Sequence, residues 1–236
     1  MTTYLTIDTS ASVAVGVADW TLGEVRQLSW ATSPEKRHHA ELLAPMVRDA
    51  LAEAGVEAPD AVIVGTGPGA FTGLRAGLVT ARVLARAWDV PLYGVSSLDV
   101  MALAAVDAGA EEIVAMIDAR RKEAFAQRFR ALGGDDVMAR DAADIWKPAD
   151  LAAACEDAPA VVAVSETDLY PEVGAERCTV AFDPCVMVRL VQSRLARVDA
   201  GEDVDLGTEP QYLRRPDVHG GAHAQPHAEG NPYAAS

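Results

Sequence analysis

The spacing of apolar residues changes several times along the chain, and each change marks an element. Tyr4 to Ile7 and Ser12 to Ala18 read as short strands, joined by a turn of hydrogen-bonding side chains, Asp8, Thr9 and Ser10. Val25 to Trp30 reads as a third strand. From His38 to Gly55 the period becomes helical: Leu42, Leu43, Met46, Val47, Ala50, Leu51 and Ala54 form a wide apolar face that Gly55 closes. Pro45 falls inside this pattern, so the helix is expected to begin near Ala44 or to kink there. Ala61 to Val64 is apolar without alternation, as in a strand buried on both faces. Gly65, Gly67, Pro68 and Gly69 then break the chain into a turn. A second helix follows, with Thr72 as its expected cap and Leu74, Leu78, Ala81, Ala85 and Trp88 on one side. Gly73, Gly77 and Ala81 recur every four residues and leave a stripe almost without side chains. A glycine inside a helix costs roughly 0.5–1 kcal/mol against alanine, so this stripe calls for close packing or a bound group.

Val90 to Val95 continues as a strand and Ser97 to Ala108 as an apolar helix. At Glu112 the opening phrase returns. EIVAMID ends in Asp118, the turn Ala119, Arg120, Arg121 follows, and Glu123 to Arg130 is a second strand, about 110 residues after the matching Asp8. An internal duplication with a boundary near Gly109 accounts for this. The expected lobes are 1–109 and 110–216, the helix at 185–200 being a candidate to return to the first. Pro148 to Ala154 reads as a short helix, Ala160 to Val164 as a buried strand, Cys185 to Val198 as an amphipathic helix and Gly207 to Pro216 as extended. The Gly-, His-, Ala- and Pro-rich stretch 217–236 is expected to be a disordered tail. Strands alternating with helices in this order predict an α/β fold with a mixed sheet in each lobe.

Charge narrows the partners. The 236 residues carry a net charge of -15, a field that repels nucleic acid on average. The densest basic cluster is Arg120, Arg121 and Lys122, with Arg128 and Arg130 nearby. Direct binding of nucleic acid by this chain alone is therefore not expected. No stretch approaches roughly 18 consecutive apolar residues, so no membrane span or membrane partner is expected. The opening MTTYLTIDTS lacks the basic and apolar regions of a signal peptide, and Cys155, Cys178 and Cys185 lack C-x-x-C spacing. Both suit a cytoplasmic protein with reduced thiols.

The glycine turn has no Gly-Lys-Ser/Thr and is not a Walker loop. Gly65, Gly67 and Ala70 spell a dinucleotide fingerprint, but the next strand ends in Ser96 and Ser97 where an acid is required. Two readings remain, a tight packing turn and an anion or partner site at the helix N-terminus. The second gathers Asp8, Thr9, Ser10, Gly67, Gly69 and Arg75 as candidate residues. His38 and His39 have no third ligand at suitable spacing, so no metal site is assigned. Neither G-x-S-x-G nor H-E-x-x-H is present, which removes a peptidase.

Five segments carry a resemblance. They are IDTSASVAVGV (Ile7 to Val17), H-x-E-L-L-x-P (His39 to Pro45) and GTGPGAFTGLRAGLVTARVLA (Gly65 to Ala85), followed by MIDARRKEAF (Met116 to Phe125) and PQYLRRPDV (Pro210 to Val218). Together they resemble the TsaB family of bacterial tRNA threonylcarbamoyladenosine synthesis, relatives of the TsaD glycoprotease-like proteins. The resemblance implies a duplicated ribonuclease-H-like, actin-like ATPase fold. It also implies a scaffold with no catalytic residues, metal or cofactor of its own. Such a scaffold binds and activates TsaD, with TsaE joining, and ATP/ADP and metal sit on those partner subunits. The assembly modifies the adenosine at position 37 of tRNAs that read ANN codons. The interface implied is helical, shared by TsaD or by a second copy in a homodimer. The residues expected there are Leu43, Met46, Val47, Ala50, Gly73, Leu74, Gly77, Leu78 and Ala81. An active member of the fold places an acid in each hairpin turn and glycines around its nucleotide. Here the second turn is Asp118-Ala119-Arg120-Arg121, and Val164-Ser165-Glu166 replaces the adenosine-loop glycines. The paired histidines of the catalytic relative, H-x-x-x-H, are absent. The competing function is a stand-alone ATP-dependent phosphotransferase using Asp8 and Asp118.

Overall fold

The computed structural model describes residues 1–33, 39–157, 160–174 and 176–214. Pro34, Glu35, His38 and the 217–236 segment lie outside the described residues, as does the side chain of His39. The first sheet has the order β3-β2-β1-β4-β5. Its strands are β1 (Thr2–Asp8), β2 (Val13–Thr21), β3 (Glu24–Ser33), β4 (Ala61–Gly65) and β5 (Leu92–Val95). β1, β2 and β3 are antiparallel neighbours, whereas β4 and β5 run parallel to β1. Three helices intervene or follow: α1 (His39–Ala54), α2 (Phe71–Trp88) and α3 (Ser97–Asp107).

The second sheet repeats this plan with β6 (Glu112–Arg120), β7 (Glu123–Ala131), β8 (Val137–Ala139), β9 (Asp144–Trp146), β10 (Val161–Val164) and β11 (Arg177–Thr179). Its order is β11-β10-β6-β7-β8, with β9 also paired to β7. β6 and β7 form the antiparallel pair, and β10 lies parallel to β6 as β4 does to β1. α4 (Pro148–Asp157) and α5 (Pro184–Asp199) complete the chain. The duplication expected from Asp8 and Asp118 is thus present as repeated topology.

Strand alternation explains the layering. In β1, β2 and β4, Leu5, Ile7, Val15, Val17, Val62 and Val64 face a cluster shared with α1 and α2. Their neighbours Tyr4, Ala14, Ala18 and Ile63 face a second cluster. In the other sheet, Ile113, Ala115, Ile117 and Ala163 turn into that same second cluster, while Val114, Met116, Val162 and Val164 turn towards α4. The middle layer is α3 and α5. α3 packs mainly on the second sheet and α5 mainly on the first, so each lobe's last helix lies against the other lobe's strands. α5 therefore returns to the first lobe, and the two lobes share one core. Asp183 caps α5 by accepting from the Cys185 amide at 2.7 Å, with Pro184 in the first turn. Gly16 makes room for that end, because a Cβ there would sit 2.7 Å from Pro184.

Several local expectations need correction. α1 begins at His39, ahead of Ala44, with Pro45 inside it. The cap of α2 is Ala70, without a side-chain hydrogen bond, and Thr72 lies within the first turn. The short strands β8, β9 and β11 pair with neighbours although their three-residue patterns carry no period to read.

One edge of the middle layer is polar. Arg194, almost fully buried, donates to Asp99 at 2.6 Å and to Asp136 at 3.3 Å, and Arg197 donates to Asp136 at 2.7 Å. Burial raises the Asp99 carboxyl above its usual range, and the Arg194 charge pulls it back. Removing the guanidinium leaves Asp99 without its cation, while Asp136 keeps Arg197. Arg194→Ala is therefore expected to cost about 3–5 kcal/mol in urea unfolding at neutral pH, both lobes melting in one transition. A loss below about 1 kcal/mol would show the seam to be solvated and weak.

Candidate functional site

The end of β1 carries Asp8 into a fully buried turn. One carboxylate oxygen accepts from the Ser10 amide at 2.8 Å, and the other accepts from the Ser97 hydroxyl at 2.6 Å. Thr9 donates from its hydroxyl to the Gly73 carbonyl at 2.9 Å. Glycines on the facing segments make this contact possible. A Cβ on Gly65 would fall 1.8 Å from the Asp8 carboxylate, on Gly77 2.3 Å from the Thr9 hydroxyl, and on Gly69 2.8 Å from the Ser10 backbone. The small-residue stripe thus receives the chain's own turn. Burial pushes the Asp8 carboxyl up to about 6, against the lowering effect of the Ser97 and Ser10 hydrogen bonds.

Of the candidate anion residues, Asp8, Thr9, Ser10, Gly67 and Gly69 come together, all buried, while Arg75 is exposed on α2. The turn is filled by its own side chains. Where it faces the second hairpin, the space between Ser10, Asp118 and Glu166 is only about 30 Å³, on the scale of a single water. Asp118 is engaged locally, accepting from the Arg120 amide at 2.9 Å and lying 3.6 Å from its guanidinium. Tyr170 donates from its hydroxyl to the Glu123 carbonyl at 3.0 Å beside them.

A wider cleft of about 270 Å³ opens next to this gap, between the start of α2 and the β6–β7 turn. Ala70, Phe71 and Thr72 form one wall, Arg120 and Arg121 the other, and Arg214 closes an end. Phe71 meets Tyr212 with ring centroids 4.8 Å apart, and Arg214 pairs with Glu123. Arg120, Arg121 and Lys122 all have positive φ, at 63°, 55° and 61°.

The helical interface expected from the apolar stripes is corrected by burial. Leu43, Val47, Ala50, Leu74, Leu78 and Ala81 pack into the chain's own core beside Leu5, Val15 and Val62, and Gly73 and Gly77 are buried too. Met46 alone of the nine keeps partial exposure. A 3.6-residue stripe shows that a face is covered, not by what, and the nearest cover is the sheet. On α2 the large apolar side chains that remain outside are Val79 and Val83, 48% and 61% exposed, with half-buried Ala76 one turn before Val79, and on α1 Leu42 and Met46 are half-buried. The signal for them was present: two valines one turn apart, off the stripe, among Arg75, Arg82 and Arg86.

Comparison with known proteins sets this geometry in context. The model of the family described as TsaD, tRNA N6-adenosine threonylcarbamoyltransferase, matches residues 32–167, more than half of the chain. Uncharacterized protein Rv3421c of Mycobacterium tuberculosis is 34% identical over 234 residues, covering 92% of this chain and 94% of that protein. The Escherichia coli protein named tRNA threonylcarbamoyladenosine biosynthesis protein TsaB is 37% identical over 145 residues, 60% of this chain and 57% of its own length. The solved structure of YeaZ from Pseudomonas aeruginosa, 31% identical, matches 90% of this chain and 100% of its own with a TM-score of 0.71. The chain belongs to the TsaB family. As a TsaB-family member within the wider TsaD group, it has the duplicated ribonuclease-H-like architecture that its two sheets display.

In this TsaB-family chain the sealed carboxyl has a measurable consequence. Its folded pKa of about 6 lies above the ordinary carboxyl value of 3.8. The native state therefore holds a proton that the unfolded chain releases, and the associated stability is full below about pH 4 and lost as pH rises to about 6. Asp8→Asn keeps the shape and removes the titration. Between about pH 4 and pH 7 the stability difference between variant and wild type should move in the variant's favour by about 3 kcal/mol, in urea melts. A difference independent of pH would contradict a buried, proton-holding Asp8.

Proposed function

We propose that this chain is the non-catalytic scaffold subunit of the assembly that forms N6-threonylcarbamoyladenosine in tRNA. It docks on a TsaD-family protein through the outer face of α1 and α2. The link to this modification comes from the relative whose name states it, the Escherichia coli TsaB protein, and from the matched family model. The observation that carries the non-catalytic role is the closed junction of the two hairpin turns. Asp8 is sealed under Gly65 and Ser97, Asp118 is engaged by Arg120, and the gap lined by Ser10, Asp118 and Glu166 holds about 30 Å³. Nucleotide phosphates and their metal do not fit that space. ATP or ADP, metal and the reacting tRNA then belong to the partner subunits, TsaD and TsaE. This chain meets tRNA through the complex, which agrees with its charge of -15.

The docking surface is the exposed pair Val79 and Val83, extended by Ala76, Met46 and Leu42. Partner helices cover such a stripe by their own apolar faces. Without the partner, a second copy of the chain can cover it as a homodimer. The setting is cytoplasmic in this reading, and among the described residues no helix is long and apolar enough to cross a membrane.

Co-purification with the TsaD-family protein of the same organism tests the proposal. Wild type should form a stable heterodimer, and Val79→Glu with Val83→Glu should weaken it at least about 100-fold while circular dichroism stays unchanged, since both side chains are exposed. The isolated chain should show no Mg²⁺-dependent ATP binding by calorimetry. Absence of a complex, together with ATP binding abolished by Asp8→Asn, would replace this reading with the phosphotransferase.

A further inference from the structure

The segment after α5 is neither helix nor strand, yet it touches both lobes. From Asp203 to Arg214 it runs along the free edge of β5, over the glycine turn and across the mouth of the interlobe cleft. The Gly94 amide donates to the Leu206 carbonyl at 2.8 Å, and the Gln211 amide donates to the Thr66 carbonyl at 2.9 Å. Its seat is fitted closely, because a Cβ on Gly94 would fall 2.0 Å from the Gly207 carbonyl oxygen. Tyr212 then lies on Phe71, the first residue of α2, and Arg214 reaches Glu123 of β7 on the opposite lobe. Leu206 and Leu213 pack on the shared core, but no residue from 202 to 214 is buried, which puts the segment among the less protected parts of the fold.

A further anchor is on the docking face. Arg82, one turn after Val79 and next to Val83 in the α2 sequence, donates to the Thr208 carbonyl at 2.6 Å and lies 3.4 Å from Glu209. A partner that covers Val79 and Val83 also removes water from around this guanidinium. A charge-assisted hydrogen bond that keeps its acceptor becomes stronger in a drier surrounding, and breaking it becomes more costly. We propose that residues 203–214 act as a clasp: a protein docked on the outer face of α2 tightens the Arg82–Thr208 tie and thereby closes the interlobe cleft through Tyr212 and Arg214. The docking surface becomes a regulator of the cleft some distance from it, through one contiguous stretch of chain. This inference rests on the docking reading given above.

Hydrogen–deuterium exchange read by mass spectrometry tests it, on the full chain alone and in complex with the TsaD-family protein. In wild type, docking should slow exchange of the 204–214 peptide and of the 118–125 hairpin by about tenfold. Arg82→Ala in the isolated chain should speed exchange of 204–214. Tyr212→Ala, which lies at the far end of the clasp, should leave docking intact and abolish the protection of 118–125. A complex that forms without slowing 204–214, or a Tyr212→Ala chain whose hairpin is still protected, overturns the clasp and leaves the docking reading standing. No complex at all overturns both.

Discussion

The contact on which the rest of the molecule depends is the burial of the Asp8–Ser10 turn beneath the glycines of β4, the following loop and α2. Thr9 bonded to the Gly73 carbonyl fixes how near α2 lies to β1. Asp8 bonded to Ser97 fixes where α3 begins. The glycine turn is thereby held between two hairpin ends and a helix start, and α2 has one permitted rotation. That rotation sends Leu74, Leu78 and Ala81 inward and leaves Val79 and Val83 outside. The surface available to a partner is consequently set by a packing contact on the opposite side of the same helix. Two helical glycines cost roughly 1–2 kcal/mol together, and the seated turn with its hydrogen bonds offsets this.

The same contact separates the two halves of the duplication. In the first, the acid is desolvated and closed off by Ser97. In the second, Asp118 stays half-buried and is engaged by Arg120. An acid facing an acid across a cleft can share a cation, whereas one sealed and one paired with arginine have each lost that demand. The net charge of -15 belongs to the whole chain rather than to this pair of acids. It is distributed over the surface, with part of it answered locally by ion pairs such as Arg128 with Asp141 and Arg189 with Asp107.

The fold was largely legible in the sequence because strands buried on both faces and long apolar helices leave unambiguous periods. The repeat of Ile7-Asp8 at Ile117-Asp118 gave the two-lobe plan directly. The cover of α1 and α2 was not legible. Leu43 and Leu78 would show the same stripe whether they met a sheet or another subunit, and only three-dimensional placement separates those cases. The exposed Val79 and Val83 were hidden by the stronger stripe beside them. The glycines were correctly read as needing either close packing or a ligand. Deciding between these required knowing that the turn of residues 8–10 arrives there, a contact between residues about 65 positions apart. The crossing of α3 and α5 onto opposite sheets is likewise a matter of topology, since an apolar helix carries no label for the sheet it will cover.

The β6–β7 turn shows where sequence preference and conformation disagree most. Arg120 pairs with Glu123, leaving Arg121 and Lys122 as a two-residue loop with positive φ at both positions. Such loops favour Asn-Gly, and each side chain in the left-handed region costs roughly 1–2 kcal/mol. Asparagine and glycine would relieve that cost while removing two positive charges from the hairpin, that of Arg121 from the wall of the cleft. The cations stand on the hairpin that Arg214 and Tyr170 also hold, so their strain is borne by a well-anchored turn. A conformation of this kind persists where the surroundings over-determine it. Here the turn sets Arg120 and Arg121 at the cleft's edge in a chain that is otherwise strongly acidic, so this wall differs in charge from the rest of the surface.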